Sequence, residues 1–256
     1  MNSSLKISIS SYGNQHLKKD NTLKTAGIDG CKAGWMFITF GENPHYRVLR
    51  TNQELEEMFT EYDRVFVDMP IGLEDENYTR ECDRLLREKL GPEYSSSVFS
   101  PPIRPALHAP SYVEANMQSY EYTEKKLTVQ AWNITPKIKT IDAFLTQKPD
   151  LQDVVLESHP ELLFRNLNGG MIYQKKNTKK GLRHRLDLVS NHEEIAADFF
   201  RDIKEDFRRN EVEEDDIVDA MALALAAKKS VKNGLKTIPK EPPVDSEGLK
   251  MAIHYV

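Results

Sequence analysis

The sequence contains only two cysteines, Cys31 and Cys82, and neither belongs to a CxxC pair or a Cys/His cluster. A structural zinc site is therefore not expected, and the low cysteine content is typical of a reducing compartment. No apolar run approaches the ~18 residues that a membrane-spanning helix needs. The N-terminal stretch MNSSLKISISSYGNQHLKKDN also lacks the continuous apolar core of a signal peptide. These absences predict a cytoplasmic protein without a membrane segment.

An excess of positive charge is lacking as well. The formal net charge is −5 at pH 7 and the isoelectric point is about 5.9, so no global basic field favours tight non-specific binding to DNA. Local basic patches are still compatible with these totals. A chain of 256 residues, 39% of them hydrophobic, is long enough to bury a core as one large domain or as one domain with an insertion.

The first half of the chain reads as a short sheet followed by a helix and another strand. After a poorly specified extension at residues 1–24, the runs TAGIDG, WMFITF and YRVLR predict a three-stranded meander. Thr51 with Glu54 three residues later is typical of a capping box and begins an amphipathic helix. Val65–Val67 then form an apolar run typical of a buried parallel strand, which ends at Asp68.

The second half predicts an insertion at about residues 70–150, then one more strand and a strong helix. Residues 111–147 look helical, with a break expected at Pro136. The run DVVLESHPE predicts a strand with Glu157 at its end, and EVEEDDIVDAMALALAAKKS predicts a helix with acids in its first turns. We therefore expect a single mixed α/β domain at residues 25–256, with helices packed on a central sheet.

Acidic residues recur where the predicted strands end. Asp29, Asp68 and Glu157 each follow an apolar run and have Gly or Pro within three residues. Because parallel strands present their carboxyl ends at one edge of a sheet, Asp29 and Asp68 should lie close together there. Asp216 and Asp219 are three residues apart on the late helix, on the side that continues into its apolar stripe.

Carboxylates that converge in this way repel each other and raise each other's pKa values unless a divalent cation binds. Oxygen ligands without cysteine suit Mg²⁺ or Mn²⁺. Two such ions ~4 Å apart activate water and stabilise the leaving oxygen in phosphodiester cleavage. The pattern therefore predicts Asp29, Asp68, Asp216 and Asp219 as metal ligands, with the glycines beside Asp29 leaving space for metal and substrate.

Each of these acids also has a structural interpretation that the sequence leaves open. Asp29 is a turn residue in this alternative, and Asp68 caps a loop. Glu157 is an ion-pair partner or a surface acid, and Asp216 belongs to the first turns of a helix, where acids are common in any case. Asp219 fits a structural interpretation less well, because it lies on the packing side between the apolar Val218 and Ala220.

Other polar residues are candidates for proton transfer or phosphate binding. His159 follows Glu157 by two residues and would share its face if the strand continued, where it could shuttle a proton or orient the leaving group. A loop histidine beside Pro160 is the alternative. The segment KKNTKKGLRHR holds six basic residues that are candidates for contacts with phosphates or else a solvated face: Lys175, Lys176, Lys179, Lys180, Arg183 and Arg185. Of these, Lys179, Lys180 and Arg183 are the predicted substrate-binding residues. SSSVFSPPIR offers hydroxyls and Arg104 for an anion, with a plain structural loop as the alternative.

Seven blocks in this order resemble a known family: GIDGCKAGW, VDMPIGL, RECDRLLREKLG, SSVFSPP, ESHPELLF, KKGLRHRL and DDIVDAMALALAA. They look like the blocks of domain-of-unknown-function family 429, a set of predicted nucleases in the ribonuclease H-like superfamily. The resemblance runs from about Thr25 to the C-terminal EGLKMAIHYV.

The resemblance implies a ribonuclease H-like fold, with a five-stranded mixed sheet of order 3-2-1-4-5 flanked by helices. It also implies that acids of the first strand, the fourth strand and a late helix bind two Mg²⁺ ions, which correspond here to Asp29, Asp68 and the pair Asp216 and Asp219. Glu157 corresponds to an acid of the fifth strand at the rim of the same site. The nature of the substrate is not implied, because folds of this kind host many activities.

We therefore expect a metal-dependent nuclease that acts on a nucleic acid of unknown type, in which Glu157 positions water or the second ion. An ATPase or phosphotransferase of the actin-like or sugar-kinase type is an alternative, although those proteins normally need a duplicated domain with Gly-rich phosphate loops. A non-catalytic ribonuclease H-like scaffold is a third interpretation. The oligomeric state is left open, a homodimer included.

Overall fold

The computed structural model describes residues 23–256, so most of the extension predicted at residues 1–24 lies outside the described residues. The central sheet has five strands in the order β3-β2-β1-β4-β5. They are β1 (Thr25–Cys31), β2 (Gly34–Thr39), β3 (His45–Leu49), β4 (Arg64–Val67) and β5 (Val155–Glu157). Strands β1 to β3 form the predicted antiparallel meander, whereas β4 runs parallel to β1 and β5 runs parallel to β4.

Eight α-helices lie within residues 23–256. They are α1 (Asn52–Glu61), α2 (Glu81–Leu90), α3 (Tyr112–Thr123), α4 (Val129–Gln147), α5 (Pro160–Leu167), α6 (Lys179–Ser190), α7 (Ala196–Asp206) and α8 (Glu214–Asn233). The predicted capping box at the start of α1 is present: Glu54 N–H donates to Thr51 Oγ1 at 3.2 Å, and Thr51 N–H donates to the Glu54 carboxylate at 3.0 Å. A small second sheet pairs β6 (Lys236–Ile238) with β7 (Ile253–Tyr255).

The insertion between β4 and β5 holds α2, α3 and α4, joined by loops with short 3-10 turns. The break expected at Pro136 is not there, because Pro136 lies inside α4. The chain breaks earlier, after α3, where Glu124 adopts a left-handed conformation with φ 56°. Burial of Ile138, Ile141 and Leu145 on one face of α4 offsets the backbone hydrogen bond that proline cannot make.

Helix α8 packs on one face of the sheet with α5, α6 and α7 around it, and α1 and α4 cover the other face. Gly27 on β1 makes the close approach of α8 feasible, since a Cβ atom there would lie 2.1 Å from the backbone nitrogen of Ala224. The result is an α/β fold of ribonuclease H type, with its acids at the carboxyl edge of the sheet. In the described part of the chain no helix has the length and apolar character that crossing a membrane requires.

Candidate functional site

A cavity of about 210 Å³ lies at the carboxyl ends of β1, β4 and β5. Six acids line it, and their partners divide them into two sets. We call Asp29, Asp68 and Asp219 the open acids, because no arginine of the described residues pairs with them. We call Asp83, Glu157 and Glu161 the paired acids, because each forms an ion pair with a buried arginine.

Three different elements bring the open acids together. Ile28 pairs with Val67 in the parallel ladder, so Asp29 and Asp68 are the next residues of neighbouring strands. Asp29 shares a strand face with Gly27, against which α8 packs, and Asp219 of α8 is only 5% exposed. The same glycine that lets the helix approach the sheet therefore also brings a helix carboxylate toward a strand carboxylate.

The second glycine beside Asp29 does not leave the space that the sequence suggested. A Cβ atom at Gly30 would lie 2.8 Å from Cδ of Lys137, so the Lys137 stem fills that position. Lys137 Nζ donates to the Gly34 carbonyl at 2.7 Å and lies 4.8 Å from the centroid of the Trp35 ring. Lys137 lines the cavity and adds a cation to it, although burial lowers the pKa of this lysine.

Burial and mutual repulsion shape the acidity of the open acids. Burial raises the pKa of Asp29 well above its ordinary value, and the charges of Asp68 and Asp219 raise it further. Burial raises the pKa of Asp68 to about 7 and that of Asp219 to about 6. Burial raises the pKa of the arginine-paired Glu157 to about 7 as well, so the missing arginine partner, and not the shift itself, marks the open acids as short of positive charge.

Lys176 supplies part of that charge. Its Nζ lies 3.3 Å from Asp219 Oδ2 and 3.7 Å from Asp215 Oδ2, and its side chain is 45% exposed. The neighbouring acids raise the pKa of Lys176, so it stays protonated, while Lys176 lowers the pKa values of Asp68 and Asp219. No donor within residues 23–256 makes a hydrogen bond to the Asp68 carboxylate, and Asp29 Oδ1 accepts only from the adjacent Gly30 N–H, at 2.7 Å.

Glu157 belongs to a satisfied network. Its Oε1 accepts from Arg80 Nη2 at 2.7 Å, and its Oε2 accepts from the Ile71 N–H at 2.7 Å. Arg80 also pairs with Asp83 at 2.9 Å, and all three residues are buried. The role of Glu157 in positioning water or an ion stays a prediction. The geometry supports the ion-pair alternative, since both oxygens already have protein donors.

His159 reaches the cavity by a different route from the one expected. Strand β5 ends at Glu157, so His159 does not continue its face and instead directly precedes α5. Its Nε2 lies 3.3 Å from the Ser97 carbonyl, which fixes Nε2–H as the donor and leaves the buried Nδ1 without a partner among the described residues. Burial lowers the pKa of His159, so the ring is neutral.

Asp216 lies just outside the cavity lining and has a structural role. Its Oδ2 accepts from the Glu213 N–H at 2.9 Å, as part of a capping box that begins α8. Burial raises the pKa of Asp216 to about 7, and its charge contributes to the high pKa of Asp29. These contacts agree with the interpretation of Asp216 as an acid of the first helical turn, and its role as a metal ligand stays a prediction.

The predicted phosphate-binding residues do not line this cavity. Arg104 is engaged in ion pairs with Asp142 and Asp245, so its guanidinium holds the insertion to the C-terminal segment, in accordance with the structural alternative. Lys179, Lys180 and Arg183 line an exposed groove on α6, and Arg183 pairs there with Asp187. The basic segment reaches the acids through Lys176, which precedes the helix.

The open acids supply the donor atoms of a metal site, but their spacing is too wide for one ion. Their oxygen donors and shared negative charge suit Mg²⁺ or Mn²⁺. Across residues 23–256, however, no three His, Cys, Asp or Glu side chains stand close enough to hold one ion as placed. The donor set fits a hard divalent cation, which would have to draw the carboxylates together.

Sequence reasoning did not select Lys137 or Arg80 as residues of the site, and it named Lys176 only as one of six basic residues in a candidate phosphate-binding segment. Lys176 carried a usable signal, because it belongs to a basic segment and a cluster of predicted acids requires a cation nearby. Lys137 is one lysine of a helix whose position depends on the packing of the insertion, and Arg80 gives no local indication of its distant partner Glu157.

Comparison with known proteins identifies the family of this chain. No curated protein and no solved structure matches the chain. The model of the family described as "Protein of unknown function (DUF429)" matches residues 27–244, a span that includes every open and paired acid. The chain therefore belongs to the DUF429 family.

Proposed function

We propose that the protein is a divalent-metal-dependent nuclease of the ribonuclease H-like type, which hydrolyses phosphodiester bonds of a nucleic acid. The observation that supports this most is the meeting of the three open acids in one cavity, from β1, the end of β4 and α8. Their pKa values are raised, and one half-exposed lysine is the only cation paired with them among the described residues. Buried carboxylates that lack compensation are costly, so three of them in one cavity favour a role with a cation.

In this proposal Asp29, Asp68 and Asp219 hold the metal. When bound, the metal supplies the positive charge that activates water and stabilises the leaving oxygen. Lys176 Nζ lies at the same carboxylates and is exposed enough to contact a phosphate oxygen of the substrate. The neutral His159 presents an unpartnered Nδ1 that can accept a proton at the cavity wall.

The phosphotransferase alternative has less support. Residues 23–256 hold one five-stranded sheet, whereas actin-like and sugar-kinase proteins normally need two such domains. A cytoplasmic location and a homodimeric state remain predictions that rest on the sequence alone.

The experiment is a panel of labelled single-stranded, duplex and junction substrates of DNA and RNA, incubated with Mg²⁺ or Mn²⁺ and with EDTA. We expect metal-dependent cleavage of at least one substrate. Asp68→Asn and Asp219→Asn should each reduce the rate by more than about 100-fold, beyond the 10- to 100-fold cost of losing a group that only supports a metal ligand. Asp187→Asn on the outer surface of α6 is the matched control and should retain activity.

The proposal fails if no substrate is cleaved with either metal, or if the Asp68 and Asp219 variants cleave as fast as the control. ATP turnover in the absence of nucleic acid would favour the phosphotransferase alternative. Circular dichroism of each variant shows whether the fold persists.

A further inference from the structure

A second cavity, of about 300 Å³, lies next to the acidic one. The two cavities share Val98 and Phe99 as lining residues, so they lie on either side of the short segment at residues 95–101. A chain-like ligand with one unit at the open acids would therefore reach the second cavity by passing Phe99. The volume of the second cavity is at the lower end of the range for small-molecule sites.

The second cavity differs from the first in charge. Arg87, Lys125 and Lys126 line it, against a single acid, Glu74. Neither Lys125 nor Lys126 forms an ion pair with any residue of the described chain, and both are exposed. An excess of unpaired cations beside an acidic cavity favours an anionic ligand such as a phosphate.

Hydroxyl groups complete the polar lining. They come from Ser96, Ser100, Ser119, Thr123 and Thr128. Ser119 is only 4% exposed, and its Oγ has no hydrogen-bond partner among the described residues. A buried hydroxyl without a partner is unfavourable, and a ligand oxygen in the cavity would satisfy it.

Phe99 stands between the two cavities on a fixed backbone. Arg87 Nη2 donates to the Val98 carbonyl at 2.9 Å and to Ser100 Oγ at 2.9 Å, so it holds the residues on both sides of Phe99. Phe99 itself is 42% exposed. An exposed aromatic ring on a held loop, with cations beside it, is the arrangement on which proteins stack unpaired bases.

We propose that the substrate is a single-stranded nucleic acid, and that a nucleotide next to the cleaved phosphate stacks its base on Phe99 and places its phosphate beside Lys125 and Lys126. This inference rests on the proposed nuclease function. In a duplex both faces of each base are covered by neighbours, so Phe99 would have no free base face to contact.

The test is the binding of fluorescein-labelled oligonucleotides of about 10 nucleotides, within the site sizes of single-strand binding domains. Anisotropy is measured in the Asp68→Asn background with Mg²⁺ present, so that binding is separated from cleavage. We expect Phe99→Ala to weaken single-strand binding by about 5- to 150-fold, as loss of one stacked base does. Phe99→Trp should restore binding, because the ring face is retained.

The contribution of Lys125 and Lys126 is tested by the salt dependence of oligonucleotide affinity. In Lys125→Ala/Lys126→Ala the slope of log affinity against log salt should fall in magnitude by about 0.7, because the two lysines contact one phosphate and each phosphate that a protein neutralises on a single strand contributes about 0.7 to the slope. Lys232→Ala/Lys236→Ala, which removes an exposed lysine near the C-terminal end of α8 and another at the start of β6, is the control and should leave the slope unchanged. Binding of a duplex of the same sequence should be weaker and indifferent to Phe99.

The outcomes separate this inference from the function on which it rests. Single-strand binding that depends on Phe99 and the two lysines, without cleavage by the wild-type chain, supports the binding site and overturns the nuclease. Cleavage with unchanged affinity in both variants overturns the binding site alone. Equal loss of duplex and single-strand binding in Phe99→Ala also overturns it, since stacking would then not be selective for an unpaired base.

Discussion

The paired acids and the open acids line the same cavity, but only the paired acids form ion pairs with buried arginines. Asp83 and Glu157 share the guanidinium of Arg80, and Glu161 accepts two hydrogen bonds from Arg185 Nη2, at 2.8 and 2.9 Å. Both arginines are almost fully buried. The open acids have only the half-exposed Lys176 and the distant charge of Lys137.

This contrast separates buried carboxylates that stabilise the structure from those that lack a compensating charge. An arginine that satisfies two carboxylates fixes the geometry around it, and removing it leaves buried charges without a partner. Carboxylates left short of positive charge destabilise the protein by themselves, and such groups are found where a ligand supplies the missing charge. The paired acids therefore hold the wall of the cavity, and the open acids are the ones to which we assign the metal in the proposed function.

The largest expected effect comes from breaking the paired set. Arg80→Met should lower the free energy of unfolding by about 3–5 kcal/mol, because Asp83 and Glu157 then stay buried without their shared cation. Urea denaturation followed by circular dichroism measures the change. The loss should be smaller in Arg80→Met/Asp83→Asn/Glu157→Gln, which removes the stranded charges as well.

Arg84→Met is the matched control for this prediction. Arg84 lies in α2, which Arg80 directly precedes, and it also pairs with two acids, Glu81 and Glu88, but its side chain is 56% exposed. Surface pairs contribute ~0–1 kcal/mol, so this variant should unfold near the wild-type midpoint. Equal losses in the two variants would mean that burial does not distinguish the two kinds of ion pair.

An effect of opposite sign should follow from removing one open acid. Asp68→Asn should raise the free energy of unfolding at pH 8 by about 1–3 kcal/mol, because an ionised carboxylate whose pKa is raised destabilises the fold. The same substitution should abolish activity, so stability and function would change in opposite directions. A loss of stability at pH 8 would show that Asp68 is compensated in the folded protein.

The pH dependence of stability sharpens the same prediction. Folding raises the pKa of Asp68 from 3.8 to about 7 and that of Asp219 from 3.8 to about 6. At pH values between the unfolded and folded pKa values, the folded protein binds more protons than the unfolded chain. The free energy of unfolding of the wild type should therefore fall as the pH rises from about 4 to 7. Urea midpoints over that range should decline less steeply in Asp68→Asn, and parallel curves for both proteins would contradict the assigned shift.

Much of the fold could be predicted because its signals are local. The capping box at Thr51, the apolar run at Val65–Val67 and the alanine-rich α8 each reveal their structure within a few residues. Pro136 misled the prediction, since a proline inside a helix is tolerated when the buried face around it packs well. That packing depends on residues distant in sequence, and no local pattern contains it.

The same difference between local signals and long-range contacts explains which features of the site could be predicted. Strand ends and helical spacing were enough to select Asp29, Asp68 and Asp219, because the direction of a parallel sheet determines where those ends meet. The same reasoning selected Glu157, whose role depends on Arg80 of the insertion, 77 positions earlier. Which acids are paired and which are open is thus decided by long-range contacts, and spacing alone carries no information about them.

The smallest expected effect concerns Lys176, the cation that stands beside the open acids. Lys176→Met should lower stability at pH 7 by less than ~1 kcal/mol, since the lysine is half exposed. The increase in melting temperature caused by Mg²⁺ should be larger in this variant than in the wild type. The lysine competes with the metal for the carboxylates, and stabilisation by a ligand grows as its dissociation constant falls.

Lys180→Met is the control, because Lys180 is an exposed lysine of the same basic segment that forms no ion pair with any described residue. Thermal denaturation with Mg²⁺ and with EDTA gives the shift for each protein. A shift that is equal in Lys176→Met, Lys180→Met and wild type would place the metal away from Asp219. A shift that disappears in Lys176→Met would mean that the lysine assists metal binding, and the open acids would then not be short of positive charge.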